Sequence, residues 1–284
     1  MSAAASSARP AADPGRADRF RRLAWGVVGY NLLVVAWGAF VRATGSGAGC
    51  GSHWPLCNGE VVPRSPSAET LIELSHRLTS GLDGLLVAAL VVLAFRWFPR
   101  RHPVRTAAGL AFVFLLVEGA IGAGLVLFEM VAANESLARA WWMAAHLVNT
   151  FVLLAWLTLT AVWAQPGAAA GGRRLPLSFA ARDPAAWLLG GGFVAMLVLG
   201  ASGAVAALGD TLFPAASFRE GLAQDLAPGA HLLVRLRALH PALALGAGVY
   251  LVAMASAVAG RRPGVVEVRR AANALAGLFA AQIV

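Results

Sequence analysis

Long apolar stretches separated by short polar punctuation organise this chain. They run Leu23–Val41, Leu71–Phe95, Thr106–Phe128, Ala140–Ala164, Ala185–Leu208 and His231–Ala259, and a seventh starts at Ala271 and is still apolar when the sequence ends at Val284. A helix needs roughly 20 residues to cross a hydrocarbon core about 30 Å thick, so the six complete stretches predict six spanning helices. Periodicity alone does not separate a buried soluble helix from a spanning one. Six such runs in series with short connections, however, leave little material for a soluble core, and only a helix satisfies its own backbone in lipid. The expected fold class is an all-α polytopic membrane protein.

Composition supports the membrane reading and charge orients it. The 284 residues are 58% hydrophobic and 13% charged, with a mean hydropathy of +0.68; a soluble domain carries about 25% charged residues. The net charge of +9 comes from 23 arginines, with no lysine in the chain. Sixteen of these fall in the N-terminal tail and in alternate connections: Arg9 to Arg22, Arg96 to Arg105, Arg173 to Arg182 and Arg261 to Arg270. The intervening connections hold only Arg64 and Arg219, with Arg42 and Arg139 at helix edges. The positive-inside rule then places the N-terminus in the cytoplasm. Basic charge here is a topology signal; lipid is the expected partner and nucleic acid is not. The Ala-, Ser- and Arg-rich segment 1–22 resembles a transit peptide, but it holds Asp13 and Asp18 and leads straight into a full-length span, so it reads as a disordered cytoplasmic tail.

Both cysteines lie in the outward connection GSGAGCGSHWPLC, residues 45–57. Outside the cytoplasm, two thiols with no other soft ligand nearby favour a disulfide between Cys50 and Cys57 over a tetrahedral zinc site, which needs four ligands. His53 keeps a metal alternative open. GAGC also looks like a lipoprotein box, but Gly47 stands three residues before Cys50 and the preceding apolar run is too long for a signal peptide.

The chain also repeats. Gly45 and Gly209, His76 and His240, and Glu118 and Gln282 are each 164 residues apart, which predicts two tandem four-helix halves in parallel topology. The expected organisation is a tail over 1–22, an N-terminal half over 23–165, a cytoplasmic linker over 166–184 and a C-terminal half over 185–284. Eight helices are expected in all, with about seven present.

Ionisable side chains inside spans are costly and are functional by default. The second run opens TLIELSHRLTSGLDG, where Glu73, His76 and Asp83 fall within about 80° of one another on a helix. The fourth contains His146, two turns after Arg139. Because the second and fourth runs cross in the same direction, His76 and His146 can lie at similar depth, as two imidazoles that grip a haem iron from facing helices. Plainer readings stand beside this one: Thr70-x-x-Glu73 also makes a capping box, a single intramembrane His is often a packing residue, and Glu118 in the third run needs no more than a hydrogen-bond partner.

GAFVRATGSGAGCGSHWPLCNGEVVP, ELSHR, AAHLVN and RLRALHPALA together resemble the haem A synthase family, over roughly residues 23 to 284. The resemblance implies eight spanning helices in two four-helix halves and oxidation of the ring methyl of haem O to the formyl group of haem A, for cytochrome oxidase biogenesis. By the same resemblance His76 and His146 hold the substrate haem and Glu73 is the catalytic carboxylate. His240 is one ligand of a haem b that passes electrons, and Cys50 and Cys57 are a disulfide. Two successive hydroxylations would give a gem-diol that loses water, with Glu73 relaying protons or stabilising developing charge. Arg77, Arg235 and Arg237 are possible propionate contacts, although an interfacial Arg also snorkels; His231 falls beside an outer loop and is not expected to be a ligand. Arg237 stands 164 residues after Glu73, so the two haem sites are expected to differ in charge at one geometric place.

The repeat puts the partner of His240 at about position 310, beyond Val284, so the eighth helix and second haem b ligand are expected in a longer reading frame, the alternative being an incomplete second site in an inactive protein. Haem O, the haem O synthase that supplies it and an electron donor are the expected partners. The GAIGAGL stretch of the third run permits close helix packing within a subunit or in a homo-oligomer. The alternative function is a di-haem b-type electron-transfer cytochrome, which needs the histidines but neither Glu73 nor the cysteine loop; a non-haem transporter fits less well, because the histidines cluster near one face.

Overall fold

A computed structural model describes residues 13–165 and 184–283. Its order is α1 (Pro14–Ala43), a 3-10 turn (Ser46–Ala48), α2 (Ala68–Trp97), α3 (Pro103–Leu127), α4 (Leu137–Trp163), α5 (Pro184–Leu212), α6 (Phe218–Leu226), α7 (Leu232–Gly260) and α8 (Val266–Ile283). All of α1 to α5 and α7 are long and apolar enough to cross a membrane. Among the described residues there is no strand, only an isolated bridge between Cys57 and Glu60. Leu33 and Leu85 are 69% and 70% exposed, as suits side chains facing lipid rather than water. The chain is therefore an all-helical, multi-pass membrane protein.

Helix ends depart from the apolar runs for local reasons. Asp13 caps α1 by accepting the Gly15 N–H at 2.9 Å, and Pro14 occupies the first turn, so the helix starts nine residues before the apolar run. Part of the segment expected to be a disordered tail is thus helical, and Phe20 is fully buried with its ring 5.0 Å from Phe98. The rest of that tail, and the expected linker except Pro184, lie outside the described residues. Helix α8 begins at Val266 rather than Ala271, and α7 receives it closely: a Cβ on Gly248 would sit 1.7 Å from the Phe279 ring. Helix α6 has no counterpart in the expected layout; it is short and polar, capped by Ser217.

The chain forms two compact units, Met1–Ala132 with Asn149–Pro176, and Ala133–Val148 with Leu177–Val284. In the first, the apolar cluster takes α1 up to Val28, α2 from Leu86, α3 up to Leu115 and α4 from Leu153. It fills the end opposite the cysteine loop. The loop end of the same unit carries Glu73 and His76, and Asn31 and Asp83 lie mid-helix between it and that cluster. In the second unit one cluster joins Ala185, Leu251, Met254, Ala255 and Val258 with α8, and another joins Ala140, Leu208 and Leu233. Along α5 and α7, Ser202, Gly203 and His240 fall between those clusters.

Candidate functional site

The N-terminal end of α2 is built into the cysteine loop. Ser67 caps the helix by accepting the Thr70 N–H at 3.2 Å, and Thr70 Oγ1 donates to the Gly49 carbonyl at 2.7 Å. The capping box expected at Thr70 and Glu73 is thereby displaced by one turn, which frees Glu73. That side chain, 4% exposed, turns to the loop: its Oε2 accepts the Cys50 N–H at 2.8 Å, and its Oε1 accepts Arg77 Nε at 3.1 Å and Nη2 at 2.5 Å. Arg77 Nη1 in turn donates to the carbonyls of His53 at 2.8 Å and Leu56 at 2.7 Å. Gly49 lies so close to α2 that a Cβ would be 2.4 Å from the Glu69 carbonyl, backbone that has no room to yield.

Cys50 and Cys57 are joined as a disulfide and both are buried. The Asn58 N–H returns to the Cys50 carbonyl at 2.9 Å, closing the loop on itself. Among the described residues no group of three His, Cys, Asp or Glu side chains is arranged to hold a metal ion. The loop is a covalently closed cap whose backbone is hydrogen-bonded to the α2 side chains Thr70, Glu73 and Arg77, the last two joined by a buried ion pair within the helix.

One turn further along α2, the His76 ring lies close against α1: a Cβ on Gly38 would be 3.0 Å from Cε1 and 3.2 Å from Nε2. The same device recurs in the second unit, where a Cβ on Gly203 of α5 would be 3.1 Å from His240 Cε1. Ser202 Oγ lies 2.9 Å from His240 Nδ1. A partner on Nδ1 fixes the imidazole tautomer and leaves Nε2 as the metal-binding nitrogen, the arrangement of iron- and zinc-ligating histidines. With Nδ1 occupied by Ser202, Nε2 is the nitrogen through which His240 could hold a metal.

Of the six histidines only His76, His146 and His240 lie within spans. His102 and His231 cap α3 and α7, accepting the Val104 and Leu233 N–H groups at 3.3 Å each, and His53 is in the loop. His146 is on the part of α4 that belongs to the second unit.

The three arginines considered for propionates all have protein partners. Arg77 is committed to the loop, and Arg235 donates to the Pro228 carbonyl. Arg237 is 9% exposed and reaches Asp225 Oδ1 at 2.6 Å, Asp210 Oδ1 at 3.1 Å and the Phe213 carbonyl at 3.1 Å. It lines a cleft of about 450 Å³ with Pro214, Phe218, Leu222 and Pro241. Glu118, whose partner could not be named from sequence, accepts hydrogen bonds from Asn149 Nδ2 and Thr150 Oγ1. Sequence reasoning also missed Ser202, Gly38, Gly203 and Asn31, whose partners are far along the chain; the Asn of AAHLVN, one turn after His146, was the only one in view.

A family model described as cytochrome oxidase assembly protein, COX15-CtaA, matches residues 21–284. A Thermus thermophilus protein named protoheme IX farnesyltransferase is 51% identical over 266 residues, which is 94% of this chain and 42% of that protein. Heme A synthase of Bacillus cereus is 49% identical over 102 residues, 36% of this chain and 33% of that protein, and a Bacillus anthracis protein of the same name matches equally. The chain thus spans less than half the length of these relatives. With its whole apolar region inside the match, this chain belongs to the COX15-CtaA family of cytochrome oxidase assembly proteins.

Proposed function

We propose that this protein is a haem A synthase, oxidising the ring methyl of haem O to a formyl group for cytochrome oxidase. The observation that carries the proposal is the division of the first unit: apolar packing fills one end, while the other gathers a buried carboxylate and an intramembrane histidine under a disulfide cap. An electron-transfer cytochrome needs no such cap or carboxylate. The half-reaction is R–CH3 + H2O → R–CHO + 4 H⁺ + 4 e⁻, with dioxygen as the class of oxidant that takes up the four electrons, so the site must move protons as well as electrons.

In this proposal His76 holds the iron of the substrate haem; His146, the other ligand that the resemblance implies, is on the part of α4 grouped with the second unit. Glu73, one turn from His76 and fixed by Cys50 and Arg77, accepts protons or stabilises positive charge developing at the methyl. Because Arg77, Arg235 and Arg237 already have partners, a propionate would have to share or displace them. In the second unit His240 would hold haem b, which supplies one-electron transfer; Ser202 and Gly203 set its ring. The protein would lie in the bacterial cell membrane with its N-terminus in the cytoplasm and the Cys50–Cys57 loop outside.

The farnesyltransferase name of the Thermus relative fits the part of that protein outside the match, since prenyl transfer and methyl oxidation are different chemistries. It supports the reading that a farnesyl transfer to protohaem, which makes haem O, is the preceding step and that the enzyme performing it is a partner.

The test is to express the whole reading frame to which this chain belongs in cells that make haem O but no haem A, and to extract the pigments. Haem A is the expected product. A haem-type reduced-minus-oxidised spectrum with haem O unconverted would overturn the synthase in favour of the electron-transfer cytochrome.

A further inference from the structure

Two turns beyond His76 on the same face of α2, Asp83 meets Asn31 of α1 in the membrane interior. Asn31 Nδ2 donates to Asp83 Oδ2 at 2.6 Å. The side chains are 3% and 2% exposed, and the remaining oxygen of each, Asn31 Oδ1 and Asp83 Oδ1, is buried with no hydrogen-bond partner. Two orphaned acceptors side by side cost free energy that one shared donor removes. A proton on Asp83 Oδ1, directed at Asn31 Oδ1, is such a donor; it also cancels a charge that is expensive in hydrocarbon.

The neighbours offer no cation in its place. From α1 the only other titratable side chain at this level is Tyr30, which donates to the Thr79 carbonyl at 3.1 Å. From α3 the contact is apolar, Leu115 beside Gly84, and Glu118 one turn further on is held by Asn149 and Thr150. Between Asp83 and His76, α2 carries two hydroxyls: Ser80 Oγ donates to the His76 carbonyl at 2.7 Å and Thr79 Oγ1 to the same carbonyl at 3.0 Å. The second unit lacks the pair. The positions 164 residues on are Ala195 and Ala247, and the register that matches Gly38 to Gly203 puts Met196 opposite Asn31. Helix pairing of this kind therefore does not require the Asp and Asn.

We propose that Asp83 and Asn31 form a proton-binding site, protonated at rest, which exchanges its proton along Thr79 and Ser80 toward the His76 end of the unit. The site stands without the synthase reading; under that reading it lies beside a reaction that releases protons.

Infrared spectroscopy of the purified full chain tests it without bound haem. The expected result is a carboxylic-acid C=O band that shifts in D2O, persists well above the ordinary carboxylate range of pH and disappears in Asp83→Asn. If Asp83→Asn does not fold, Asn31→Leu keeps the acid and should move the same band to higher frequency. Thr79→Val with Ser80→Ala should slow the deuterium shift at least tenfold. A carboxylate in place of the acid band, or an exchange rate unchanged by the hydroxyl variants, overturns the proposal; failure to convert haem O in cells does not bear on it.

Discussion

Glu73 is a single side chain on which two demands converge. Its carboxylate closes the cysteine loop through the Cys50 N–H and Arg77, and it stands one turn from His76. Gln keeps the shape and can still accept from Cys50, but it removes the anion. Under the proposed synthase function, Glu73→Gln should therefore abolish haem A while leaving the haem content of the purified protein unchanged; pigment extraction and a haem-to-protein ratio read the two quantities separately. Ser202 makes a different claim. If its hydroxyl sets the His240 tautomer, Ser202→Ala should weaken retention of a haem on the second unit by about tenfold, as loss of an orienting hydrogen bond does, visible on dilution as earlier loss of the b-type spectrum. The sequence made Glu73, His76 and His240 legible because charged and imidazole side chains are rare in apolar runs. Ser202, Gly38 and Asn31 were not, because Ser, Gly and Asn are ordinary in membrane helices and their importance comes from the residue opposite.

At the scale of elements, runs of apolar residues report how much helix lies in lipid, not where hydrogen bonding begins. The extra turns of α1 come from an Asp cap and a Pro, and those of α8 from residues around Arg269 and Arg270, which are too polar to register as span. Helix α6 was invisible for the opposite reason: nine mixed residues carry no membrane signal, and a Ser cap with Glu three residues later was its only mark. The connection of α2 to α3 holds a cap with a pH signature. His102 accepts the Val104 N–H and packs against Phe98 at 4.7 Å between ring centroids, and its burial pushes the imidazole below its ordinary value of 6.5. Protonation would remove the lone pair that accepts from Val104 as well as charge a buried ring. The neutral form is thus the one the fold favours, so its contribution is complete above pH 6.5 and falls away as pH drops through the lowered folded value. Melting temperature in detergent should decline on acidification from neutral pH, and His102→Asn, which still caps a helix, should flatten that decline.

Over the whole molecule, one plan is used twice with its charges exchanged. Each unit lays a histidine ring on a glycine of the neighbouring helix, and each ties the helix carrying that histidine to a connecting segment through a buried ionisable side chain three residues earlier. In the first unit the helix supplies the acid, Glu73, and the loop supplies an N–H. In the second the helix supplies the base, Arg237, and Asp210 near the end of α5 and Asp225 of α6 supply carboxylates. The clamp thus recurs in both units with its sign exchanged, and under the proposed function the carboxylate falls at the reacting site and the cation at the site that passes electrons. Two variants separate the clamps. Arg77→Ala leaves Glu73 buried without its cation, a loss on the order of 3 kcal/mol, and Arg237→Ala strands Asp225 in the same way. Limited proteolysis should then open residues 49–66 in Arg77→Ala and residues 213–230 in Arg237→Ala, each with the other segment still protected. Cleavage of both segments in either variant would mean that the two clamps are not independent, and that the repeated plan is one cooperative cap rather than two.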